Sequence, residues 1–255
     1  MLPISIAFFA LGTIIASFIG VLVARLYTGQ GFVIGRSRCD ACDAPLSSLA
    51  LMPIISFVSW GGRARCCGAR ISWYAPLTEL LLGGLFLLSY LKLGLTSALF
   101  GMLLSLSLLL ALVLYDIAHQ ILPSVLLILF VVTSVITRFL IAPSYTSFFN
   151  SFFIAFLIAL SLALIHVFSR GRAMGLADAP LSFGLALLTG SAAFSGFIFS
   201  FWIGAVIGII ILAGRPSGSR MGVEVPFAPY LAAGFLLAYF TQWNPFIFIA
   251  TLSSH

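Results

Sequence analysis

The chain has 255 residues, of which 62% are hydrophobic and 7% are charged, and its formal net charge is +6. Soluble domains carry roughly 25% charged residues, so this composition excludes an ordinary soluble fold. The positive charge does not indicate a nucleic-acid partner, because nearly all basic residues fall in a few short stretches between apolar runs, as membrane topology requires.

Apolar runs long enough to span a membrane recur along the chain. A membrane-spanning helix needs about 20 predominantly apolar residues, and it satisfies its own backbone hydrogen bonds. The runs fall at residues 3–24, 76–91, 95–115, 121–142, 147–168, 180–191, 194–213 and 228–250, the sixth being the shortest. The sequence therefore predicts an all-α polytopic membrane protein with about eight transmembrane helices.

Composition divides the chain into three predicted parts. Residues 1–26 form the first transmembrane helix, residues 27–75 form a polar loop domain, and residues 76–255 form the transmembrane core. The first run begins at Leu2 with no basic residue before it, and Arg25 follows it. This pattern favours a retained first span with its N-terminus outside over a cleaved signal peptide.

The basic residues predict the orientation of the spans. With the N-terminus outside, the outer side holds Lys92 and Arg138, and the inner loops hold the other ten of the 12 basic residues. Cytoplasmic loops carry an excess of Lys and Arg, so this distribution is a strong positive-inside bias. Successive spans cross the membrane in alternating directions. The same orientation therefore places the loop domain, the end of the third run and the start of the sixth run on the cytoplasmic side.

The loop domain contains all four cysteines of the chain. Cys39 and Cys42 form a C-x-x-C pair, and the adjacent Cys66 and Cys67 follow later in the loop. A cytosolic location disfavours disulfides, and two cysteine pairs at such a separation indicate a zinc site. Four thiolates around one zinc ion would hold together a loop with little core of its own. The alternative is four free thiols in a partly buried loop.

Two of the six acidic residues lie at the ends of apolar runs. Asp116 closes the third run and Asp178 precedes the sixth. An ionisable group in or near a membrane is costly to place and indicates function by default. The simpler interpretation makes Asp178 an N-cap and Asp116 a solvated residue at the end of a span. Asp116 fits that interpretation poorly, because an acid at a helix C-terminus opposes the helix dipole.

Seven short motifs occur in one order along the chain. They are ASFIGVLVAR at 16–25, SRCDAC at 37–42, MPIISF at 52–57, ISWYAPLTE at 71–79, DIAHQILP at 116–123, GLAD at 175–178 and PFAPYL at 226–231. A single motif of this kind is weak, but seven in order on the predicted topology are specific. Together they resemble the motifs of the prepilin peptidases, or type IV leader peptidases, a family of GxGD-type membrane aspartic proteases in bacteria.

The chain departs from the family motifs at several positions. Ala177 replaces the second glycine of GxGD, which adds one methyl group beside Asp178 and is tolerable unless φ is positive there. The family's second C-x-x-C would place cysteines at 64 and 67, whereas this chain has Ala64 and a displaced Cys66. Further departures are Pro180 for a lysine, Gly20 for an asparagine and Ala228 for a glycine.

The resemblance implies an activity and a site. Asp116 and Asp178 would be the catalytic pair, and Gly175 and Ala177 would let a substrate backbone lie close. The implied substrate is a prepilin or pseudopilin, whose basic leader is cut from a hydrophobic helix just after a glycine, at the cytoplasmic face of the bacterial inner membrane. Two carboxyls sharing one site cannot both ionise, so one can act as base and the other as acid. Pairing requires the carboxyl groups to meet within about 7 Å.

Other interpretations of the same residues stay open. Many members of this family also methylate the new N-terminus with S-adenosylmethionine; Glu79 is a candidate for that activity, although it also suits the dipole of a helix that starts nearby. A non-catalytic membrane assembly subunit would use the aspartates only as helix caps. A transporter would place its key carboxylates near the bilayer midplane in broken helices, so positions at span ends favour the protease.

Overall fold

The computed structural model describes residues 2–26, 39, 41–42, 44–45, 54–172, 174–214 and 226–245. In these ranges the helices are α1 (Leu2–Arg25), α2 (Ile55–Ser59), α3 (Tyr74–Leu93), α4 (Ser97–His119), α5 (Ser124–Ile141), α6 (Tyr145–Phe168), α7 (Asp178–Thr189), α8 (Ala193–Ala213) and α9 (Ala228–Thr241). A single 3-10 turn, Gly190–Ala192, joins α7 to α8. The all-α prediction is therefore confirmed for the described residues.

Six stretches of the described chain are long and apolar enough to cross a membrane. Five of them are α1, α3, α4, α5 and α6, and the sixth is the 36-residue stretch Asp178–Ala213. The sequence prediction divided that stretch into two runs, and the structure breaks it at the same place, between α7 and α8. Each of the eight predicted runs contains a helix, although α9 has 14 described residues and the end of its run lies outside the described part.

The chain forms two compact units, residues 1–99 and residues 100–255. In the first unit α1 and α3 approach closely through glycines. A Cβ added to Gly12 would lie 2.8 Å from the Cα of Gly83, and a Cβ on Gly83 would lie 2.8 Å from Cγ2 of Thr13. Small residues allow helices to pack closely in a membrane, where burial of apolar side chains gives no preference for protein over lipid. The loop domain predicted at 27–75 is described only in part, and the three-part division stays a prediction.

The second unit is organised around α7, which packs against α5, α6, α8 and α9. Ten of the 12 residues of α7 are buried. Gly184 of α7 makes room for Phe130 of α5, since a Cβ there would lie 2.6 Å from its ring. Ser200 of α8 donates a hydrogen bond to the carbonyl of Leu231 in α9 at 3.2 Å. The packing of α7 against these four helices fixes the position of Asp178 at its first residue.

Candidate functional site

Asp116 lies in the last turn of α4, and its side chain is 6% exposed. Its Oδ2 accepts a hydrogen bond from the backbone N–H of Ala228, the first residue of α9, at 3.2 Å. The first N–H groups of a helix lack partners within the helix and carry the positive end of its dipole. The start of α9 therefore compensates for the unfavourable position of Asp116 at the end of α4.

Asp178 is the first residue of α7, and its side chain is 7% exposed. Its Oδ2 accepts a hydrogen bond from the backbone N–H of Gly175 at 3.2 Å. The N-cap of α7 is Ala177, which makes no side-chain capping bond, so the N-cap interpretation of Asp178 is wrong. Ala177 has a φ of −68°, a conformation that any L-residue adopts. The departure from glycine at this position is therefore tolerated.

Both aspartates line one cavity of about 520 Å³. Gly175 and Ala177 line it as well. Their role beside a substrate backbone stays a prediction. The rest of the wall comes from three connections, namely residues 120–122 after α4, residues 171–172, 174 and 176 between α6 and α7, and residues 226–227 before α9. The two carboxyl groups interact electrostatically. The volume of the cavity lies within the range of about 300–1,000 Å³ that is typical of ligand-binding sites.

The reading of the motifs missed three polar residues of this region. Gln120 and Arg172 both line the cavity, and His166 interacts electrostatically with Asp178 from the last turn of α6. Gln120 has a positive φ of 56°, which marks the sharp turn directly after α4. Gln120 lies within the motif at 116–123 but was given no role there, and His166 belongs to none of the seven motifs. Arg172 entered the sequence analysis only as a topology signal. Their positions follow from tertiary packing.

The four cysteines form a cluster that could hold a metal ion. Their sulfur atoms all lie within 4.8 Å of one another. The separations are 3.8 Å for Cys39 and Cys67, 3.3 Å for Cys42 and Cys66, and 3.9 Å for Cys66 and Cys67. Tetrahedral zinc with Zn–S bonds of about 2.3 Å requires sulfur separations of roughly 3.8 Å. The adjacent cysteines therefore fit a four-thiolate site despite the displacement of Cys66.

The protonation of these thiols is uneven. Hydrogen bonds from the backbone at Ala41 and Cys42 lower the pKa of Cys39 to about 7. Hydrogen bonding with Cys42 and Cys39 raises the pKa of Cys66 to about 12. Four thiolates this close repel one another, so full ionisation of the cluster needs a cation at its centre.

Glu79 lies in the second turn of α3, not in the first turn, and is 7% exposed. Its Oε2 accepts a hydrogen bond from the backbone N–H of Ile54 at 2.8 Å, and the side chain of Ser17 also hydrogen-bonds to it. Glu79 therefore connects α1, α3 and the start of α2 within the first unit. The dipole at the N-terminus of α3 does not explain its position.

The fold and the carboxylate pair define a class: a multi-pass helical membrane protein with two acids in one polar cavity. Comparison with known proteins adds a match of part of the chain to one family model. Residues 10–93 match the model of the bacterial peptidase A24 N-terminal domain. This segment precedes both Asp116 and Asp178. No solved structure matches the chain significantly.

Relatives that carry the name prepilin leader peptidase/N-methyltransferase include proteins from three bacteria, as follows. The chain is 39% identical over 88 residues to that of Myxococcus xanthus, covering 34% of this chain and 26% of the relative. It is 33% identical over 92 residues to the Bacillus subtilis protein, covering 36% of this chain and 37% of the relative. It is 34% identical over 122 residues to the Dickeya chrysanthemi protein, covering 39% of this chain and 43% of the relative. The matches thus span less than half of each of these relatives. They confirm the resemblance to prepilin peptidases that the motifs indicated.

Proposed function

We propose that this chain is a membrane aspartic endopeptidase that removes the basic leader from type IV prepilins or pseudopilins. The observation that carries the proposal is the single cavity lined by Asp116 and Asp178, two buried acids at the ends of different helices. Each carboxylate is oriented by one backbone N–H, from Ala228 and Gly175 respectively. The names of the relatives support the substrate class.

The pair performs hydrolysis by sharing one proton. The ionised carboxylate takes a proton from a water molecule, whose oxygen then adds to the carbonyl carbon of the scissile peptide. The protonated carboxyl group donates to the carbonyl oxygen and stabilises the charge that develops there. The leaving nitrogen takes a proton from the pair as the C–N bond breaks, and one hydroxyl of the tetrahedral diol returns its proton to the pair. A carboxylic acid and an amine are released, and the pair again holds one proton. The roles of base and acid are assigned to the pair of aspartates and not to either residue alone.

The topology supports cleavage at the cytoplasmic face of the bacterial inner membrane. Arg170 and Arg172 lie in the α6–α7 connection, directly before Asp178. Basic residues next to spans favour the cytoplasmic side, which supports an inner position for this end of α7. A basic leader stays on the same side for the same reason, while the hydrophobic helix of the substrate lies in the membrane. Partners are therefore prepilin-type substrates and membrane lipid.

A reconstituted cleavage assay tests this function. The protein is purified, placed in vesicles and incubated with a prepilin that has a basic leader and a hydrophobic helix. We expect one cut, directly after the glycine that ends the leader, with mass spectrometry identifying both products. An intact prepilin after prolonged incubation with folded, inserted protein would contradict the proposal.

Zinc is the metal that best suits the cysteine cluster, where it would serve as a structural ion held by Cys39, Cys42, Cys66 and Cys67. We expect about one zinc ion per purified chain, and much less in Cys39→Ser, because three thiolates hold the ion more weakly. Elemental analysis measures this. Ser59→Ala, an exposed change in the same unit, should keep its zinc. A wild-type protein free of zinc after purification without chelators would refute the metal site.

The names of the relatives also include an N-methyltransferase, which would use S-adenosylmethionine as methyl donor. A second activity of this kind is an inference from those names, with Glu79 as its candidate residue. Glu79 makes its hydrogen bonds with Ile54 and Ser17 inside the first unit. Its geometry therefore supplies no methyl-transfer step. A mass increase of one methyl group on the cleaved substrate, dependent on S-adenosylmethionine, would establish the activity.

A further inference from the structure

The peptide group between Met174 and Gly175 makes hydrogen bonds at both ends. Its N–H, from Gly175, donates to Oδ2 of Asp178 at 3.2 Å. Its carbonyl, from Met174, lies 2.8 Å from Nδ1 of His166. A carbonyl oxygen can only accept, so Nδ1 of His166 must carry the hydrogen. The imidazole, the peptide group and the carboxylate therefore form one hydrogen-bonded chain.

The end of α6 places the imidazole for this contact. The N–H of Gly171 donates to the carbonyl of His166 at 2.8 Å, which closes the last turn of the helix. Gly171 has a φ of +75°, and a Cβ at this position would lie 3.3 Å from Cε1 of His166. The glycine thus provides both the turn and the space beneath the ring.

Hydrogen bonds in such a chain reinforce one another. Donation to the Met174 carbonyl polarises the peptide group and makes the N–H of Gly175 a better donor to the Asp178 carboxylate. It also holds the peptide plane, because rotation would break both bonds together. The N–H is the one described backbone donor to Asp178, so its orientation affects where the carboxylate points.

We propose that His166 is a positioning residue for Asp178, acting through the Met174–Gly175 peptide group. The functional part of this inference rests on the proposed peptidase activity of Asp178. The hydrogen-bonded chain itself does not. His166 touches neither the scissile bond nor the attacking water in this scheme, and its task is to hold the acid in place.

Two replacements at position 166 separate positioning from general structural support. In asparagine the amide nitrogen is bonded to Cγ, as Nδ1 is in histidine, so the variant keeps a hydrogen-bond donor at the equivalent atom. Phenylalanine keeps an aromatic ring but has no hydrogen-bond donor. We expect kcat/KM for leader cleavage to fall roughly tenfold to hundredfold in His166→Phe, because the lost bond lets the carboxylate shift. In His166→Asn it should stay within roughly threefold of wild type, since the donor is retained.

Ser161→Ala is the matched control for these variants. It lies in the same helix and removes another side-chain bond to the backbone, from Ser161 Oγ to the Ile158 carbonyl at 2.7 Å. We expect it to cleave like wild type. Equal losses in His166→Phe and His166→Asn, or no loss in either, would overturn the positioning role.

A spectroscopic measurement tests the chain of bonds without relying on cleavage. In nitrogen NMR of protein labelled at histidine, the signal that disappears in His166→Asn belongs to His166. We expect this signal to be that of a protonated, hydrogen-bonded Nδ1. If this signal is present but no leader is cut, the peptidase proposal fails while the hydrogen-bonded chain stands. If cleavage depends on Asp178 but Nδ1 of His166 carries no proton, the inference about His166 fails alone.

Discussion

Asp116→Asn and Asp178→Asn are each expected to abolish leader cleavage while leaving the protein folded and inserted. Asparagine is nearly isosteric with aspartate, and its oxygen still accepts the N–H of Ala228 or Gly175. It cannot take a proton from water, nor release one to the leaving nitrogen. General acid–base catalysis contributes roughly 10²–10⁴-fold, so initial cleavage rates in vesicles should fall at least that far.

The double variant sharpens this prediction. Because the two carboxyl groups act as a unit, the loss in the double variant should be close to that in either single variant, not the product of the two. Asp43→Asn makes the same chemical change in the predicted loop domain and should cleave normally. Two folded single variants that each process prepilin at the wild-type rate would rule out the pair. Cleavage would then depend on other groups of the chain.

Gly234→Ala is expected to destabilise the second unit by about 1–3 kcal/mol or more, the range observed for overpacking. The Cβ of the new alanine would collide with the backbone nitrogen and the Oγ of Ser200. A backbone atom cannot move aside as the end of a flexible side chain can. The α8–α9 contact would therefore have to open, together with the hydrogen bond from Ser200 to Leu231.

Gly208→Ala is the control for this effect. Position 208 lies in α8, and a Cβ there would meet no atom within 4 Å. Alanine is the better helix former by about 1 kcal/mol, so this variant should melt at or above the wild-type temperature. Thermal unfolding in detergent measures both variants. Equal melting temperatures for the two glycine variants would show that the close packing of α8 and α9 is not required.

The helices of the fold were predictable from sequence because a membrane leaves the backbone few choices. A span must satisfy its own hydrogen bonds, so an apolar run of sufficient length becomes a helix. The run predicted at 147–168 is α6, at Tyr145–Phe168, and even the break after α7 coincided with Gly190. Which helices pack against one another was not predictable from the sequence. The lipid-facing and protein-facing sides are equally apolar, so the pattern does not indicate which side packs.

The site was predictable only in part for the same reason. Asp116 and Asp178 were found because acids are rare in this chain, and both line the cavity. The partner of Asp116, the N–H of Ala228, is 112 positions away in sequence. No local pattern connects His166 with Met174. Backbone groups carry no sequence signature of their own, so these contacts depended on the folded chain.

The separation of the two carboxyl groups tests the central claim most directly. It can be measured in an experimental structure of the full chain in lipid nanodiscs, between the nearest carboxylate oxygens of Asp116 and Asp178. We predict a distance within about 7 Å, which leaves room for one shared water and a peptide carbonyl. Carboxyl groups held well beyond that reach, or on opposite sides of the membrane, would contradict an aspartic peptidase built on this pair.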